Sequence, residues 1–278
     1  MIAALFLLAL LAVVVVALLL LGSRRWRTRT AAAIARLHAE ECAPAASHDP
    51  AELGSLPAPV ARYLRAVLPD GRPIPRRARL EWEGDFLLSP PDGWAPFTAT
   101  QAVAVRPGGF VWDARVRMAP GVAVRVRDGF AHGRGSMRAE VMALLPVVSV
   151  EGTPEIATAA LQRWLAEAVW YPAALLPSQG TQWAALDATS ARATVRFAGV
   201  AASIDYHFGA DGLVERLYAA ERGRDVGGRS VPTPWEARVH SWSERGGERV
   251  PLAGEVAWLL PEGRQAYWRG RLVGIAFE

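Results

Sequence analysis

Lysine is missing from this chain: all 31 basic residues are arginine, set against 27 acids for a formal charge of +4. No acid occurs before Glu40, and Arg24, Arg25, Arg27 and Arg29 carry the whole excess, so residues 30–278 are electrically balanced. A basic isoelectric point would ordinarily point to nucleic acid. Here the basicity belongs to one short segment, and nucleic-acid binding is not expected.

Cysteine is nearly missing too. Cys42 stands alone, which excludes an intrachain disulfide and a cysteine-based zinc site. The preceding Ala39-Glu40-Glu41 is not the small-residue box of a lipidated cysteine. The five histidines His38, His48, His132, His207 and His240 are scattered singly, with no pair one helical turn apart to hold a metal. A G-x-S-x-G nucleophile elbow is absent. Gly133-Arg134-Gly135-Ser136 lacks the third glycine and the following helix of a nucleotide loop, and reads as a β-turn. No catalytic residue, metal ligand or cofactor is assigned, although a carboxylate pair or an Asp/Glu–His pair meeting in space stays open.

From Ile2 to Leu21 there is no charge, no polar group, no glycine and no proline. Twenty such residues in a helix span about 30 Å, the hydrocarbon thickness of a bilayer. A cleaved signal peptide needs a basic start, a shorter apolar run and a small-x-small site; Leu20-Leu21-Gly22-Ser23 offers none of these, so an uncleaved transmembrane anchor over 2–21 is expected. The arginines after it predict a cytoplasmic globular domain at a bacterial inner membrane, and Trp26 among them suits the headgroup layer. Residues 22–52 read as this basic flank, a polar helix over Thr30–Glu41 and a linker from Cys42 to Asp49. Residues 53–278 read as one β-rich domain large enough for its own core.

Within that domain Val60, Tyr63, Leu64 and Val67 predict a short helix over Pro57–Leu68. From Ala78 the period becomes two: Leu80, Trp82, Gly84, Phe86 and Leu88 share one face, and Arg79, Glu81, Glu83 and Asp85 the other. Strands follow at 97–105, 110–118 and 122–128; 137–150 is ambiguous between strand and helix. Thr153-Pro154-Glu155 starts a clear helix, with an N-cap, a proline at the first helical position and an acid at the positive dipole end. Pro172 stops it by Trp170. A second series of strands runs from Gln182 to Phe277, with turns at Asp211-Gly212 and Gly246-Gly247. No strand–helix alternation runs through the chain. The expected class is therefore α+β, mainly β: a curved antiparallel sheet or half-barrel with one main helix packed on its concave face, plus the transmembrane helix.

Two further signals bear on binding. A loop at Ala119-Pro120-Gly121 would set Met118 opposite Val122, Arg115 opposite Arg125 and Asp113 opposite Arg127, so that Arg115, Arg117, Arg125 and Arg127 project from one face. Like charges directly opposite are destabilising; the acid row Glu81, Glu83 and Asp85, an anionic ligand or solvent must compensate. The chain also holds 11 tryptophans. Trp94, Trp170, Trp183, Trp235, Trp258 and Trp268 fall at strand ends and bends, as core or rim of the sheet, or as the lining of an apolar ligand cavity.

Several segments together are distinctive: Leu56-Pro57-Ala58-Pro59-Val60-Ala61-Arg62-Tyr63-Leu64, Gly109-Phe110-Val111-Trp112-Asp113-Ala114-Arg115, Ala168-Val169-Trp170-Tyr171-Pro172, Pro232-Thr233-Pro234-Trp235-Glu236 and Pro251-Leu252-Ala253-Gly254-Glu255-Val256. On these the chain resembles an uncharacterised bacterial family known only as a domain of unknown function. The likeness runs from about residue 54 to the end and carries no activity with it. Phe208-Gly209-Ala210-Asp211-Gly212-Leu213-Val214 and the strands after it are also similar in rhythm to lipoprotein-carrier half-barrels, whose curved sheet wraps a helix and holds acyl chains. That likeness pulls against the arginine flank, since such carriers mostly work outside the cytoplasm. The expected function is noncatalytic binding of a lipid-like or amphiphilic ligand at the membrane. Trp82, Phe86, Trp164 and Trp170 would hold the tail, while Arg115 and Arg125, flanked by Arg117 and Arg127, meet an anionic head group. The alternatives are an interaction module with a filled core and, third, a hydrolase.

Overall fold

The computed structural model describes residues 1–39, 47–89 and 93–278. Cys42 and most of the expected linker lie outside the described residues. The N-terminal helix α1 (Ile2–Leu37) is long and apolar enough, by length and composition, to cross a membrane. It does not stop at the end of its apolar part: the arginine flank and the expected polar helix continue it without a break, so the two form one rod.

Among the described residues thirteen strands form one antiparallel sheet in the order β6-β5-β4-β3-β2-β1-β13-β12-β11-β10-β9-β8-β7. The first half comprises β1 (Arg77–Ser89), β2 (Gly93–Ala104), β3 (Gly109–Ala119), β4 (Val122–Ala131), β5 (Arg134–Val141) and β6 (Leu145–Glu151). The second comprises β7 (Gln182–Ala185), β8 (Ser190–Phe197), β9 (Val200–Phe208), β10 (Val214–Val226), β11 (Arg229–Arg245), β12 (Glu248–Leu260) and β13 (Gly263–Phe277). The halves join where β1 pairs with β13, Ala78 against Phe277. The segment 137–150 contains parts of two strands, β5 and β6, on either side of a turn in which Met142 and Ala143 take positive φ.

Helix α3 (Pro154–Glu167) packs on β3, β4 and β5 and equally on β9 and β10, which stand far apart in the strand order. The sheet is therefore open but curled around it. The Thr153 hydroxyl caps α3 through the Ile156 N–H, as the sequence predicts, but the α-helix ends at Glu167 and 3-10 turns carry the chain through Trp170 toward Pro172. The short helix α2 (Ala58–Val67) buries Val60, Tyr63, Leu64 and Val67 as expected. In β1 the alternation holds through Leu80 and Trp82; near the turn Leu87 is buried and Leu88 exposed, where the register with β2 shifts.

The concave side is filled. Trp82 lies edge-on to Trp170 and Trp268, with centroids 4.9 and 5.7 Å away. Gly84 pairs with Gly270, and Gly270 with Gly254, which gives a row without side chains across three strands. A Cβ at Gly254 would meet the Trp170 ring at 3.2 Å, so the row lets large rings lie close on the backbone. Trp164 and Trp170 anchor through their indole N–H groups to the carbonyls of Ala104 and Pro251. A polar chain crosses this interior: Trp82 donates to Gln101, Gln101 to Glu167, and Arg163 to both Glu167 and Asp128. Every residue of that chain has at least one partner; Asp128 Oδ1 and the Trp112 indole N–H have none among the described residues.

Candidate functional site

The sequence-predicted residues fall on two sides of the sheet. Trp82, Trp164 and Trp170 are buried on the concave side, with Phe86 half-buried beside Tyr267. Arg115, Arg117, Arg125 and Arg127 project from the other face. The sheet separates the aromatic set from the arginines, so one ligand does not span both. The reason is the two-residue period of a strand: Trp112 and Ala114 face the core, and Asp113, Arg115 and Arg117 between them face outward.

The hairpin register places Arg115 opposite Arg125 and Asp113 opposite Arg127, as predicted. The turn is shorter than expected: Pro120-Gly121 joins Ala119 to Val122, and Met118 is the extra residue of a bulge. Gly121 at φ +76° following a proline suits a two-residue turn, and the bulge restores the register. The compensation for the arginines also differs from the expected acid row. Glu83 is taken by Arg271, and Glu81 stands 3.9 Å from Arg79. Asp113 and the helix α1 do the work instead.

Residues Gly22–Leu37 of α1 lie on the outer face over β2, β3 and β4. Trp26, expected at the headgroup layer, is buried against the sheet at 1 % exposure. Its indole N–H reaches Asp113 at 3.0 Å; the Thr30 hydroxyl and Arg125 each reach the same carboxylate at 2.8 Å. Arg127 stacks on the Trp26 ring at 4.9 Å and donates to the Thr30 hydroxyl at 3.2 Å. Burial holds the Arg127 guanidinium below its usual pKa, with Asp113 working against that. Beside this cluster the fully buried Glu140 carboxylate meets Arg138 at 2.7 Å, Arg25 at 3.3 Å and Arg29 at 3.7 Å. Burial pushes its pKa up, but the hydrogen bond and charge of Arg138 and the charge of Arg25 outweigh burial and hold it low. Leu37 closes the contact against Ala104 and Val111.

Arg115 and Arg117 are exposed and make no hydrogen bond, ion pair or ring contact among the described residues. Arg117 lines an open trough of about 730 Å³ on the same face, over β1, β2, β12 and β13. Its walls include Asp85, Arg238, His240, Arg269 and Arg271, with Phe97 and the glycine row in its floor. Arg269 stacks on Trp94 at 4.5 Å and reaches Glu255 at 2.5 Å; Arg238 reaches Glu236 at 3.0 Å. Arg117 and Asp85 are the trough's unpaired charges, one of each sign, among the described residues. Sequence reasoning missed the trough because β1 and β13 meet across nearly the whole length of the domain.

A second cleft of about 470 Å³ is lined by His48, Arg72, Ile74, Leu176, Glu248 and Phe277 among others. Both ring nitrogens of the buried His48, Glu248 Oε2 and the nearby Tyr63 hydroxyl lack partners among the described residues. Burial pushes the Glu248 carboxyl up to about 8, with Arg72 pulling the other way. The pairings considered from sequence are not assembled: Asp205 near His207 gives both oxygens to Arg192, at 2.6 and 2.9 Å, and His240 bonds Ser241 at 3.1 Å. No cluster of three His, Cys, Asp or Glu suited to a metal occurs among the described residues.

Fold and site together define a class: an open, curled antiparallel sheet around one helix, with a long apolar N-terminal helix docked on its outer face. The chain belongs to DUF6920, a family of unknown function whose model matches residues 54–277. No curated protein matches it. Among solved structures it is similar to a DUF1329 family protein from Desulfovibrio piger, at 12 % identity and TM-score 0.38 over 73 % of this chain and 86 % of that one. A LolA superfamily protein from Nitrosomonas europaea matches at 9 % identity and TM-score 0.35, over 80 % of this chain and 92 % of that one. An outer membrane lipoprotein-sorting protein domain from Vibrio parahaemolyticus matches at 7 % and TM-score 0.38, over 73 % and 85 %. Likeness at this level carries no argument about what the chain binds.

Proposed function

We propose that this protein is a single-pass, membrane-tethered, noncatalytic module that binds a lipid-like amphiphile on the outer face of its sheet. The observation that carries the reading is the trough beside the docked helix, with Arg117 and Asp85 unpaired at its walls. A head group carrying a phosphate and an ammonium uses both: Arg117 gives charge-assisted hydrogen bonds to the phosphate, and Asp85 accepts from the ammonium. Pro96 and Ala253 offer apolar contact to the start of the tail. The tether reading is supported by α1, whose apolar part is almost wholly exposed and runs in one helix into the Trp26–Asp113 contact. The domain lies on the cytoplasmic side of a bacterial inner membrane, by the arginine flank.

One observation favours a second reading, an interaction module: Trp82, Trp164 and Trp170 fill the concave side that a carrier would leave open. Thermal melts of the full-length protein with a soluble short-chain phosphatidylethanolamine separate the two. A ligand that binds the folded state raises the melting temperature with concentration. The proposal requires that rise, and its weakening in Arg117→Ala. No rise in the wild type favours the interaction module.

A further inference from the structure

We propose that the end of the sheet nearest the apolar part of α1 is itself seated in the bilayer, with the β3–β4 and β5–β6 turns dipping into the interface beside the span. The inference rests on the tether reading and goes beyond it: a domain on a tether need not touch the lipid. Its starting point is that α1 and β3 run side by side with a known registration. Thr30 bonds Asp113 at 2.8 Å, and Leu37 packs near Gly109 and Val111 at the other end. From Thr30 to Gly22 the helix climbs about 12 Å at 1.5 Å per residue. From Asp113 to Arg117 the strand climbs about 14 Å at roughly 3.4 Å per residue. Arg117 therefore stands near the level of Gly22, where the apolar run ends, and the Met118–Val122 turn reaches beyond it.

The neighbouring turn gives an independent registration. A Cβ at Gly22 would meet the Leu144 side chain at 2.6 Å and the Ala143 carbonyl at 2.8 Å, and Arg25 donates to that carbonyl at 3.2 Å. The β5–β6 turn is thus in contact with the helix at the point where its apolar run ends. At these two turns the sheet exposes large apolar side chains: Met118 at 50 %, Val122 at 40 % and Leu145 at 66 %. Exposed apolar groups gathered at one end of a domain mark a surface that something covers, and the continuous helix names the occupant. The charges agree. Arg24, Arg27, Arg115 and Arg117 are exposed around the same level, where anionic head groups lie. In this pose the trough opens at the headgroup layer, and an amphiphile reaches Arg117 without crossing water.

Site-directed spin labelling of the full-length protein tests this in vesicles of phosphatidylcholine and phosphatidylglycerol. On a Cys42→Ser background, single labels are placed at Leu10→Cys in the span, at Val122→Cys and Leu145→Cys in the turns, and at Arg134→Cys at the opposite end of β4. The proposal expects Val122→Cys and Leu145→Cys to lose accessibility to a nickel chelate and keep accessibility to oxygen, as Leu10→Cys does, while Arg134→Cys stays open to nickel. Turn labels that behave like Arg134→Cys while Leu10→Cys reports bilayer overturn it and leave the tether standing. A water-accessible Leu10→Cys overturns the tether and this inference with it. Spin–spin broadening at the turns that vanishes on dilution with unlabelled protein assigns the patch to a second copy of the chain, and also overturns it.

Discussion

At the scale of single residues the contact that ties the helix to the sheet is Trp26 on Asp113. Three donors converge on one carboxylate that is 9 % exposed, and two of them, Trp26 and Thr30, come from a helix otherwise remote in sequence. Removing a buried indole costs about 3–5 kcal/mol, so Trp26→Ala is expected to lower the melting temperature of the detergent-solubilised protein clearly. Trp26→Ala and Asp113→Ala together should cost less than the sum of the two. Strict additivity in that cycle would mean that the indole and the carboxylate are not coupled. Glu248 supplies a pH dependence. Its folded pKa is about 8 against an ordinary 4.5, so between these values the folded state holds a proton that the unfolded state has lost. The stabilisation is complete below pH 4.5, falls as pH rises, and is gone above about 8. Glu248→Gln should flatten that slope, measured by denaturant melts across this range; an unchanged slope would show that another group titrates. Neither role is legible in the sequence. The arginine neighbours of Trp26 suggest an interfacial ring, and Glu248 stands in a strand whose cleft is completed by residues 48–76.

At the scale of elements, most strands and both amphipathic helices were legible because a period of two or 3.6 survives in the residues themselves. The segment 137–150 was not, because Met142 and Ala143 turn the chain without a glycine or proline to announce it. The β3–β4 hairpin was legible in register and illegible in role: pairing distance is set by the local sequence, but α1 covers the hairpin from more than eighty residues away. That cover splits its arginines. Arg125→Ala takes a donor from a nearly buried carboxylate and should destabilise by about 1–3 kcal/mol with or without lipid. Arg115→Ala breaks no contact, and its melts without lipid should match the wild type within about 0.5 kcal/mol. Equal losses in the two variants would contradict the division of the hairpin into a docked and a free pair.

At the scale of the whole molecule, one helix links a bilayer-length apolar rod to a curled sheet whose concave side is already occupied by its own rings. Deleting residues 2–21 leaves Gly22–Leu37 in place to dock, and the shortened protein should move to the soluble fraction; persistence in salt-washed membranes would contradict a single anchor. A reporter fused after Glu278 should be active in the cytoplasm, and periplasmic activity would reverse the orientation. The site itself was legible only in pieces: the sequence showed that arginines and aromatics were abundant on alternate positions, but which face each set occupies relative to a ligand depends on how β1, β12 and β13 come together. The central claim is amphiphile binding in the trough beside the anchor. Native mass spectrometry of the full-length protein purified in mild detergent tests it most directly. The expected spectrum carries a discrete adduct of one phospholipid mass on the wild type, much reduced in Arg117→Ala and Asp85→Ala and retained in Trp164→Phe. A wild-type spectrum without an adduct, or an adduct untouched by both trough variants, would contradict the account.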